Sequence, residues 1–220
     1  MAHVHPAEPP SDCPLCPRLV AFRTENRRAH PDWFNGAVPS FGSKDARLLI
    51  VGLAPGLKGA NRTGRPFLGD YAGELLYRTL LKVGLARGQH DVASPEALEL
   101  VDCMITNTAR CVPPANKPIA SEIANCRQFL IGRMAALPKL KSLLAIGRVA
   151  HEGILDAIKV KRSAFPFVHG ARHDLPSGLV LFDSYHCSRQ NTNTRRLTTP
   201  MFEAVVREAA ASLHDSAHKR

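Results

Sequence analysis

Short apolar runs rich in branched side chains recur along the chain, and their length and composition are typical of buried β-strands. Four strands are predicted, at residues 48–51, 101–106, 141–146 and 179–183. Apolar residues at helical spacing predict helices over 18–29, 71–83, 122–137, 147–158 and 200–213. Strands that alternate with helices favour a mainly parallel sheet covered on both faces. We therefore predict an α/β fold, a three-layer α/β/α sandwich around a four-stranded, mainly parallel central sheet.

The segments outside these elements are rich in proline, glycine and polar residues. They are predicted to be an unstructured lead-in at 1–12, a connector at 86–95 with a helical turn at 95–100, and a frayed tail at 214–220. Ser121 is a candidate N-cap for the helix that follows it, and a short strand is predicted near 165–169. A chain of 220 residues suits one sizeable core, so we expect a single domain over 1–220 with flexible ends.

The composition excludes two broad classes of protein. Hydrophobic residues make up 45% of the chain, which rules out wholesale disorder, and no apolar run approaches the length of a membrane span. The N-terminal sequence, MAHVHPAEPPSDC, lacks the basic start and following apolar stretch of a secretory signal, so no such signal is predicted. We expect a cytoplasmic monomer with no membrane partner.

The chain is strongly basic, with 29 Lys and Arg against 19 Asp and Glu and a formal net charge of +10. Such a balance can simply reflect a solvated surface. However, several arginines gather in polar, glycine-rich loops, namely Arg62, Arg65, Arg110, Arg189, Arg195 and Arg196. Planar guanidinium groups suit phosphate oxygens, so the charge favours a nucleic acid partner over a membrane surface.

The loop after the first predicted strand is the richest in candidate chemistry. It opens with Gly52-Leu53-Ala54-Pro55-Gly56, and glycines let backbone N–H groups approach a ligand closely. Phe67 and Asp70 follow, and Asp70 is the only acidic residue of the loop. A strand, a polar loop and a helix in this order place a site at the carboxyl end of a sheet. A nucleotide-binding enzyme fits less well, because G-x-G-x-x-G and G-x-x-x-x-G-K-[ST] are absent from this turn.

Two further strand ends carry polar loops. Asn107 follows the second strand, Asn116 lies in the same loop, and His186 follows the fourth strand. Because carboxyl ends of parallel strands share one rim, we expect these side chains to converge with Asp70. Each also has an ordinary structural interpretation: Asp70 as a helix cap, Phe67 as core, the asparagines as turn caps, and His186 as a loop hydrogen bond.

Six cysteines in a chain without an export signal favour metal ligands or buried thiols over disulfides. Cys13 and Cys16 form a C-x2-C pair, while Cys111 and Cys126 come from two later segments. Four thiolates from separate segments suit an iron–sulfur cluster, whereas the usual paired C-x2-C pattern of zinc fits poorly; zinc is the less favoured alternative. Cys103 lies in a predicted core strand, and Cys187 competes for the fourth place.

Four sequence blocks together resemble one known family. They are CPLC (13–16), GLAPGLKGANRTGRPFLGD (52–70), TNTARCVPPANKP (106–118) with Cys126, and SYHCSRQNTNTRRLT (184–198). In this order they resemble the uracil-DNA glycosylase superfamily, most closely its family five, the thermophile-type B branch. The resemblance implies a monofunctional DNA glycosylase of base-excision repair that removes uracil and other deaminated bases and leaves an abasic site. It also implies a structural [4Fe–4S] cluster on Cys13, Cys16, Cys111 and Cys126.

Residue types and the resemblance together suggest roles in that reaction. Breaking an N-glycosidic bond leaves a sugar cation and a base anion to stabilise, and the candidate catalytic residues are Asp70, Asn116 and His186. The candidate base-binding residues are Gly52, Leu53, Ala54, Phe67 and Asn107. The candidate DNA-binding residues are Arg62, Arg65, Arg189, Gln190 and Asn191, of which the arginines contact phosphates.

Two positions depart from the family's motifs. His-Pro-Ser reads His186-Cys187-Ser188 here, and Thr-Gly-Arg-Leu-Thr reads Thr194-Arg195-Arg196-Leu197-Thr198. Loss of proline frees φ and loss of glycine removes easy access to positive φ, so these changes affect loop geometry and lesion range. We predict an active enzyme. The alternative is a catalytically silent iron–sulfur or zinc module that binds DNA lesions.

Overall fold

The computed structural model describes residues 5–214, and a mixed β-sheet runs through its centre. The strands are β1 (Phe41–Gly42), β2 (Leu48–Gly52), β3 (Ala86–Gly88), β4 (Leu98–Leu100), β5 (Cys103–Asn107), β6 (Ser142–Ile146), β7 (Arg172–Asp174) and β8 (Val180–Ser184). The helices are α1 (Pro17–Ala29), α2 (Ala60–Thr63), α3 (Tyr71–Val83), α4 (Ala120–Ala135), α5 (Arg148–Ala157), α6 (Arg189–Asn193) and α7 (Thr199–Ala211). None of these helices is long and apolar enough to cross a membrane.

Six strands form the main sheet, in the order β1-β5-β2-β6-β8-β7. The four inner strands run parallel, and they are the four that the apolar runs predicted. The predicted total of four was wrong, because β1 and β7 pair antiparallel at the two edges. These edge strands have only 2 and 3 residues and are partly exposed, so they leave no apolar run in the sequence. β3 and β4 form a separate antiparallel pair that was not predicted, whereas the helical turn predicted at 95–100 is present as a 3₁₀ turn at Pro95–Ala97, directly before β4.

Alternate residues of the inner strands point to opposite faces of the sheet. In β2, Leu48 and Ile50 pack in the cluster that α3 and α7 cover, whereas Leu49 and Val51 pack in the cluster that α4 and α5 cover. All four side chains are fully buried. Burial on both faces explains why the strand reads as an unbroken apolar run, and helices on each side give the α/β/α layering.

Local signals set the helix boundaries with mixed success. α3 covers the predicted range, begins after the Asp70 N-cap and ends at Gly84, whose φ of +81° suits a residue without a Cβ. The predicted Ser121 cap is wrong, since α4 begins after Ile119, whose N–H donates to the Glu122 carboxylate at 2.9 Å. The strand predicted near 165–169 is also wrong, because that segment is irregular and the edge strand β7 follows it.

The segment before α1 has no helix or strand over residues 5–12, yet it packs on the domain. The Glu8 carboxylate accepts the Ser40 N–H at 3.0 Å and pairs with the buried guanidinium groups of Arg110 and Arg133. These contacts make the segment part of the packed domain. Flexible ends were predicted at 1–12 and 214–220. Their outer parts, residues 1–4 and 215–220, lie outside the described residues.

Candidate active site and metal centre

A cavity of about 510 Å³ opens where the loops after β2, β5 and β8 meet. Seven residues proposed from the sequence line it, namely Leu53, Ala54, Phe67, Asp70, Asn116, His186 and Arg189. Gly52 and Asn107 lie against the Phe67 ring without lining the cavity themselves. The predicted convergence of three strand-end loops on one rim is therefore present.

The Asp70 side chain both caps α3 and faces the cavity. Its Oδ1 accepts a hydrogen bond from the Gly73 N–H at 3.3 Å, as an N-cap does. Its Oδ2 lies toward the glycine loop, where a Cβ on Gly59 would come within 2.4 Å of it and one on Gly56 within 2.7 Å. Burial raises the pKa of Asp70, while the Gly73 and Ala72 N–H groups act in the opposite direction. The glycines therefore leave room for the backbone to pass close to a desolvated carboxylate.

Gly52, Phe67 and Asn107 form one tightly packed wall behind the cavity. A Cβ on Gly52 would lie 2.4 Å from Asn107 Oδ1 and 2.6 Å from Phe67 Cζ. Asn107 is 3% exposed, and its Oδ1 has no hydrogen-bond partner within residues 5–214. A buried acceptor left unpaired costs about 1–3 kcal/mol, so a donor brought by a ligand would be favoured there.

Contacts with α3 hold Phe67 in a left-handed backbone conformation with φ of +62°. A Cβ on Gly73 would fall 1.7 Å from the Phe67 carbonyl oxygen, and the Tyr77 hydroxyl donates to the Pro66 carbonyl at 2.6 Å. The Phe67 ring lies 6.3 Å from the His186 ring, centre to centre, at an angle of 25°. Backbone strain of this kind is concentrated at functional sites, where the surrounding structure enforces it.

His186 is positioned through its backbone. Asn191 Nδ2 donates to the His186 carbonyl at 2.8 Å, and a Cβ on Gly147, at the end of β6, would sit 3.4 Å from His186 Cβ. Burial lowers the pKa of His186 to about 4, so its imidazole is neutral at physiological pH. A neutral imidazole still offers one N–H donor to a ligand.

Asn116 reaches the cavity from a left-handed turn. Ala115 and Asn116 have φ of +54° and +55° in the 3₁₀ turn Pro114–Asn116. Asparagine adopts this conformation more readily than most residues. The Asn116 backbone N–H closes the turn by donating to the Pro113 carbonyl at 3.1 Å, which leaves the side chain at the cavity.

The residues proposed to contact DNA differ in exposure. Arg62, Arg189 and Gln190 are exposed, whereas Arg65 and Asn191 are partly buried. Arg65 lies with its guanidinium carbon 4.0 Å above the Phe41 ring and donates to the Pro95 carbonyl.

Arg110 does not lie on the surface, and the phosphate contact inferred for it is wrong. Its side chain is 2% exposed, pairs with Glu8 and donates to the Val38 carbonyl at 2.9 Å. Burial lowers the pKa of Arg110 to about 10. This guanidinium ties the lead-in to the loop after β5 and has a structural role.

Tyr71 is a cavity residue that the sequence interpretation missed. It directly follows Asp70 and is 41% exposed. The Arg189 guanidinium carbon lies 5.1 Å from the centre of its ring, and its hydroxyl accepts a hydrogen bond from Thr192 at 3.0 Å. The one available signal was its place on the first turn of α3, beside the candidate carboxylate.

The four proposed cluster cysteines face one small cavity between α1, the loop after β5 and α4. Cys13 and Cys16 precede α1, Cys111 lies in the loop, and Cys126 lies on α4. Cys187 does not line this cavity, and its buried thiol donates to a carbonyl of α3 instead. Its competition for the fourth ligand place is therefore not supported.

The chemistry of this cavity fits a positively charged metal group. Burial raises the pKa of Cys111 to about 11 and that of Cys126 to about 12. Both thiols therefore become thiolates near neutral pH only when a cation lies close to the sulfur. Arg23 directs an N–H to Cys111 Sγ, with 3.6 Å between the nitrogen and the sulfur. Four thiols from three separate segments around one cavity are the donor set that an iron–sulfur cluster needs.

A third group of titratable side chains links α5, β7 and β8. His151 Nδ1 and His173 Nε2 contact the two Asp183 carboxylate oxygens at 2.7 and 2.9 Å. His151 Nε2 lies 2.8 Å from the Phe165 carbonyl oxygen, which ties the imidazole to the segment before β7. The group lines neither cavity and braces the strand that leads to His186.

The two departures from the family's motifs are accommodated locally. Arg195 has φ of +56°, so an arginine adopts the conformation that glycine adopts freely, at a cost of about 1–2 kcal/mol. Cys187 is fully buried, and its thiol donates to the Ala72 carbonyl at 3.4 Å. The loop thus retains a positive φ at the position of the missing glycine.

Comparison with known proteins agrees with this geometry. The family model described as the uracil DNA glycosylase superfamily matches residues 39–210. A type-5 uracil-DNA glycosylase of Thermus thermophilus is 44% identical over 203 residues, which cover 90% of this chain and 92% of that protein. The type-5 uracil-DNA glycosylase of Pyrobaculum aerophilum is 35% identical over 204 residues, covering 91% and 88% of the two chains. A type-4 uracil-DNA glycosylase of Sulfurisphaera tokodaii is 29% identical over 200 residues, covering 88% and 78%. With the cavity and its converging loops, these matches show that the chain belongs to the uracil DNA glycosylase superfamily.

Proposed function

We propose that this protein hydrolyses the N-glycosidic bond of uracil in DNA and leaves an abasic site. The observation that carries the proposal is one cavity lined by a desolvated carboxylate, Asp70, and a neutral imidazole, His186. Membership of the family supports it, since the type-5 relatives are named uracil-DNA glycosylases. The same chemistry extends to other deaminated bases, whose glycosidic bonds leave the same sugar cation.

Asp70 acts on the sugar in this proposal. As the bond breaks, positive charge grows on the sugar ring, and an ionised carboxylate beside it stabilises that charge and orients the attacking water. Burial strengthens the interaction because less water screens it. The Gly73 N–H holds Oδ1, which leaves Oδ2 free to accept a hydrogen bond from the water. Asn116, across the same cavity, can hold that water or the sugar.

His186 and the backbone of Leu53 and Ala54 act on the departing base. Negative charge grows on the base oxygens as the bond breaks, and fixed N–H donors in a water-poor site stabilise it. A neutral imidazole can donate such a hydrogen bond throughout the reaction. It also carries no positive charge that would have to be buried before the substrate binds.

Phe67, Gly52 and Asn107 recognise the base. A uracil turned out of the duplex can stack on the Phe67 ring. This ring lies close to the end of β2 because Gly52 has no Cβ. The unpaired Asn107 Oδ1 can accept the N3–H of uracil, a donor that cytosine in DNA lacks. The wall therefore favours uracil over the normal base from which it arises.

The DNA itself is held outside the cavity. Arg62 and Arg189 offer exposed guanidinium groups to phosphates, and Arg65 adds charge behind them. Gln190 is exposed in the first turn of the short helix α6, where it can fill the gap that the displaced nucleotide leaves, while Asn191 supports the loop by donating to the His186 carbonyl.

Cys13, Cys16, Cys111 and Cys126 would hold a [4Fe–4S] cluster. The all-thiol donor set, contributed by three separate segments, favours this cluster over a single zinc ion. The cluster would supply a structural cross-link and no chemical step. It would tie the segment before α1 to α4 and to the loop that carries Asn116.

An oligonucleotide with a single uracil tests the proposal. The duplex is incubated with protein and treated with hot alkali, which cleaves the strand at an abasic site. Cleavage at the uracil position by wild type, and its loss in Asp70→Asn, is the expected result. Tight binding without cleavage would contradict the enzyme and leave a catalytically silent lesion-binding module. Substrates with hypoxanthine or xanthine define the lesion range.

A further inference from the structure

Within residues 5–214, the arginines at the carboxyl rim of the sheet lack the carboxylate partners that several other exposed arginines have. Arg87 pairs with Glu99 at 2.7 Å, and Arg162 pairs with Asp156 at 2.7 Å. The exposed rim arginines without such a pair are Arg62, Arg148, Arg189, Arg195 and Arg196. An unpaired guanidinium keeps its donors available for an anionic ligand.

Two of these arginines lie on aromatic rings that contact each other. The guanidinium carbon of Arg148 is 5.3 Å from the centre of the Phe167 ring, and that of Arg196 is 4.7 Å from the centre of the Tyr185 ring. The two ring centres are 6.1 Å apart. We call Arg148, Phe167, Tyr185 and Arg196 the rim patch. Its two aromatic residues are partly buried, whereas both arginines are exposed.

The rim patch adjoins the candidate active site through His186. Tyr185 directly precedes His186 in the chain. Arg148 directly follows Gly147, where a Cβ would lie only 3.4 Å from His186 Cβ. A DNA strand with one nucleotide in the cavity continues past this border, so its neighbouring phosphates come close to the patch.

The stacked arrangement suits phosphate oxygens in particular. A guanidinium that lies over a ring has already lost part of its side-chain freedom, so less entropy is lost on binding. Its N–H groups lie in the plane of the guanidinium, and a phosphate can accept two of them. The Tyr185 ring contacts both Arg196 and His169, whose ring stacks on it with 4.9 Å between the centres, so the patch favours phosphate contact over base stacking.

We propose that Arg148 and Arg196 bind the DNA phosphates that flank the excised nucleotide, each oriented by the ring beneath it. This inference rests on the proposed function, because it places the reacting nucleotide in the cavity. Arg148 and Phe167 lie outside the four sequence blocks that carry the family resemblance.

The salt dependence of DNA binding tests the proposal. The probe is a duplex with a tetrahydrofuran abasic analogue, which mimics the product, and its dissociation constant is measured between about 50 and 200 mM KCl. Arg148→Gln and Arg196→Gln should each reduce the slope of log affinity against log salt by about 0.9. Arg87→Gln removes the same charge from an arginine paired with Glu99, and should leave the slope unchanged. Wild-type slopes in both rim variants would overturn the proposal.

A second variant tests the role of the rings. Phe167→Leu keeps both positive charges, so the slope should stay at the wild-type value while binding weakens by about two- to fivefold. Wild-type affinity in Phe167→Leu would refute orientation by the ring. Thermal melting of each variant separates these effects from unfolding. Uracil excision by wild type is measured in the same preparation, so absence of excision would refute the proposed function without changing the result for the phosphate contacts.

Discussion

The Asp70 carboxylate accepts the Gly73 N–H at 3.3 Å, so the group proposed to act on the sugar is also the N-cap of α3. The catalytic and capping interpretations of this residue are therefore compatible. The Gly73 N–H orients the carboxylate, and its second oxygen is turned toward the glycine loop. Substitutions that preserve the cap can separate the two roles.

Asp70→Asn and Asp70→Ala should differ in stability and not in activity. Both remove the carboxylate and should lower the single-turnover excision rate by about 10²- to 10⁴-fold. Asparagine still caps the helix, whereas alanine should lower the free energy of unfolding by about 0.5–2 kcal/mol. Quenched-flow excision and urea melts measure the two effects. Near-normal excision by Asp70→Asn would show that this carboxylate is not catalytic.

The pH dependence of excision should show no histidine titration near neutrality. Burial holds the pKa of His186 at about 4, so its imidazole stays neutral from about pH 5 upward. Burial raises the pKa of Asp70, so the rate should fall on the acid side as that carboxylate gains its proton. Single-turnover rates between pH 4.5 and 9, for wild type and His186→Gln, test this. A step near pH 6.5 that His186→Gln removes would contradict a neutral imidazole.

Gly52→Ala should damage base recognition without touching the carboxylate. Its Cβ would meet Asn107 Oδ1 at 2.4 Å and Phe67 Cζ at 2.6 Å, so the wall has to move. We expect weaker binding of uracil-containing DNA and a slower excision step. Phe67→Leu in the same chain should not restore excision, because the clash with Asn107 Oδ1 remains and leucine offers no ring on which the base can stack. Equal activity in Gly52→Ala and wild type would show that this wall does not hold the base.

Serine substitutions should separate the four proposed cluster ligands from Cys187, which lies outside their cavity. Cys126→Ser removes one of the four proposed ligands, so bound iron and sulfide should fall and the protein should melt at a lower temperature. Cys187→Ser is the matched control, since its thiol is buried elsewhere and a hydroxyl can make the same contact with the Ala72 carbonyl. Iron and sulfide analysis of both variants gives the answer. Loss of iron in Cys187→Ser alone would contradict the assigned ligand set.

Arg195→Gly should stabilise the protein. Arg195 sits at φ of +56°, and relief of this strain outweighs the added flexibility of the unfolded chain by about 0.5–1 kcal/mol. Asparagine tolerates the conformation better than arginine, so Arg195→Asn should fall between the two. Chemical denaturation measures all three proteins. Lower stability in both variants would mean that the arginine side chain makes a compensating contact.

The four inner strands could be predicted from the local pattern of apolar residues because these strands are buried on both faces of the sheet. Four consecutive residues of β2, Leu48 to Val51, are fully buried, and such a run is readable without any tertiary information. β1 and β7 were missed for the opposite reason. They are short edge strands with partly exposed residues, and their hydrogen bonds to β5 and β8 define them more than their side chains do.

The sequence by itself determined which chemical groups are present and the order in which the loops carry them. Asp70, His186 and the four proposed cluster cysteines could be named as candidates because motif residues keep their spacing along the chain. Tertiary structure alone decided which charges are free. Arg110 looks like a loop arginine, yet Glu8, 102 residues away, pairs with it inside the domain. Burial, pKa shifts and ion pairs depend on neighbours that are remote in sequence, and residue order alone does not reveal those neighbours.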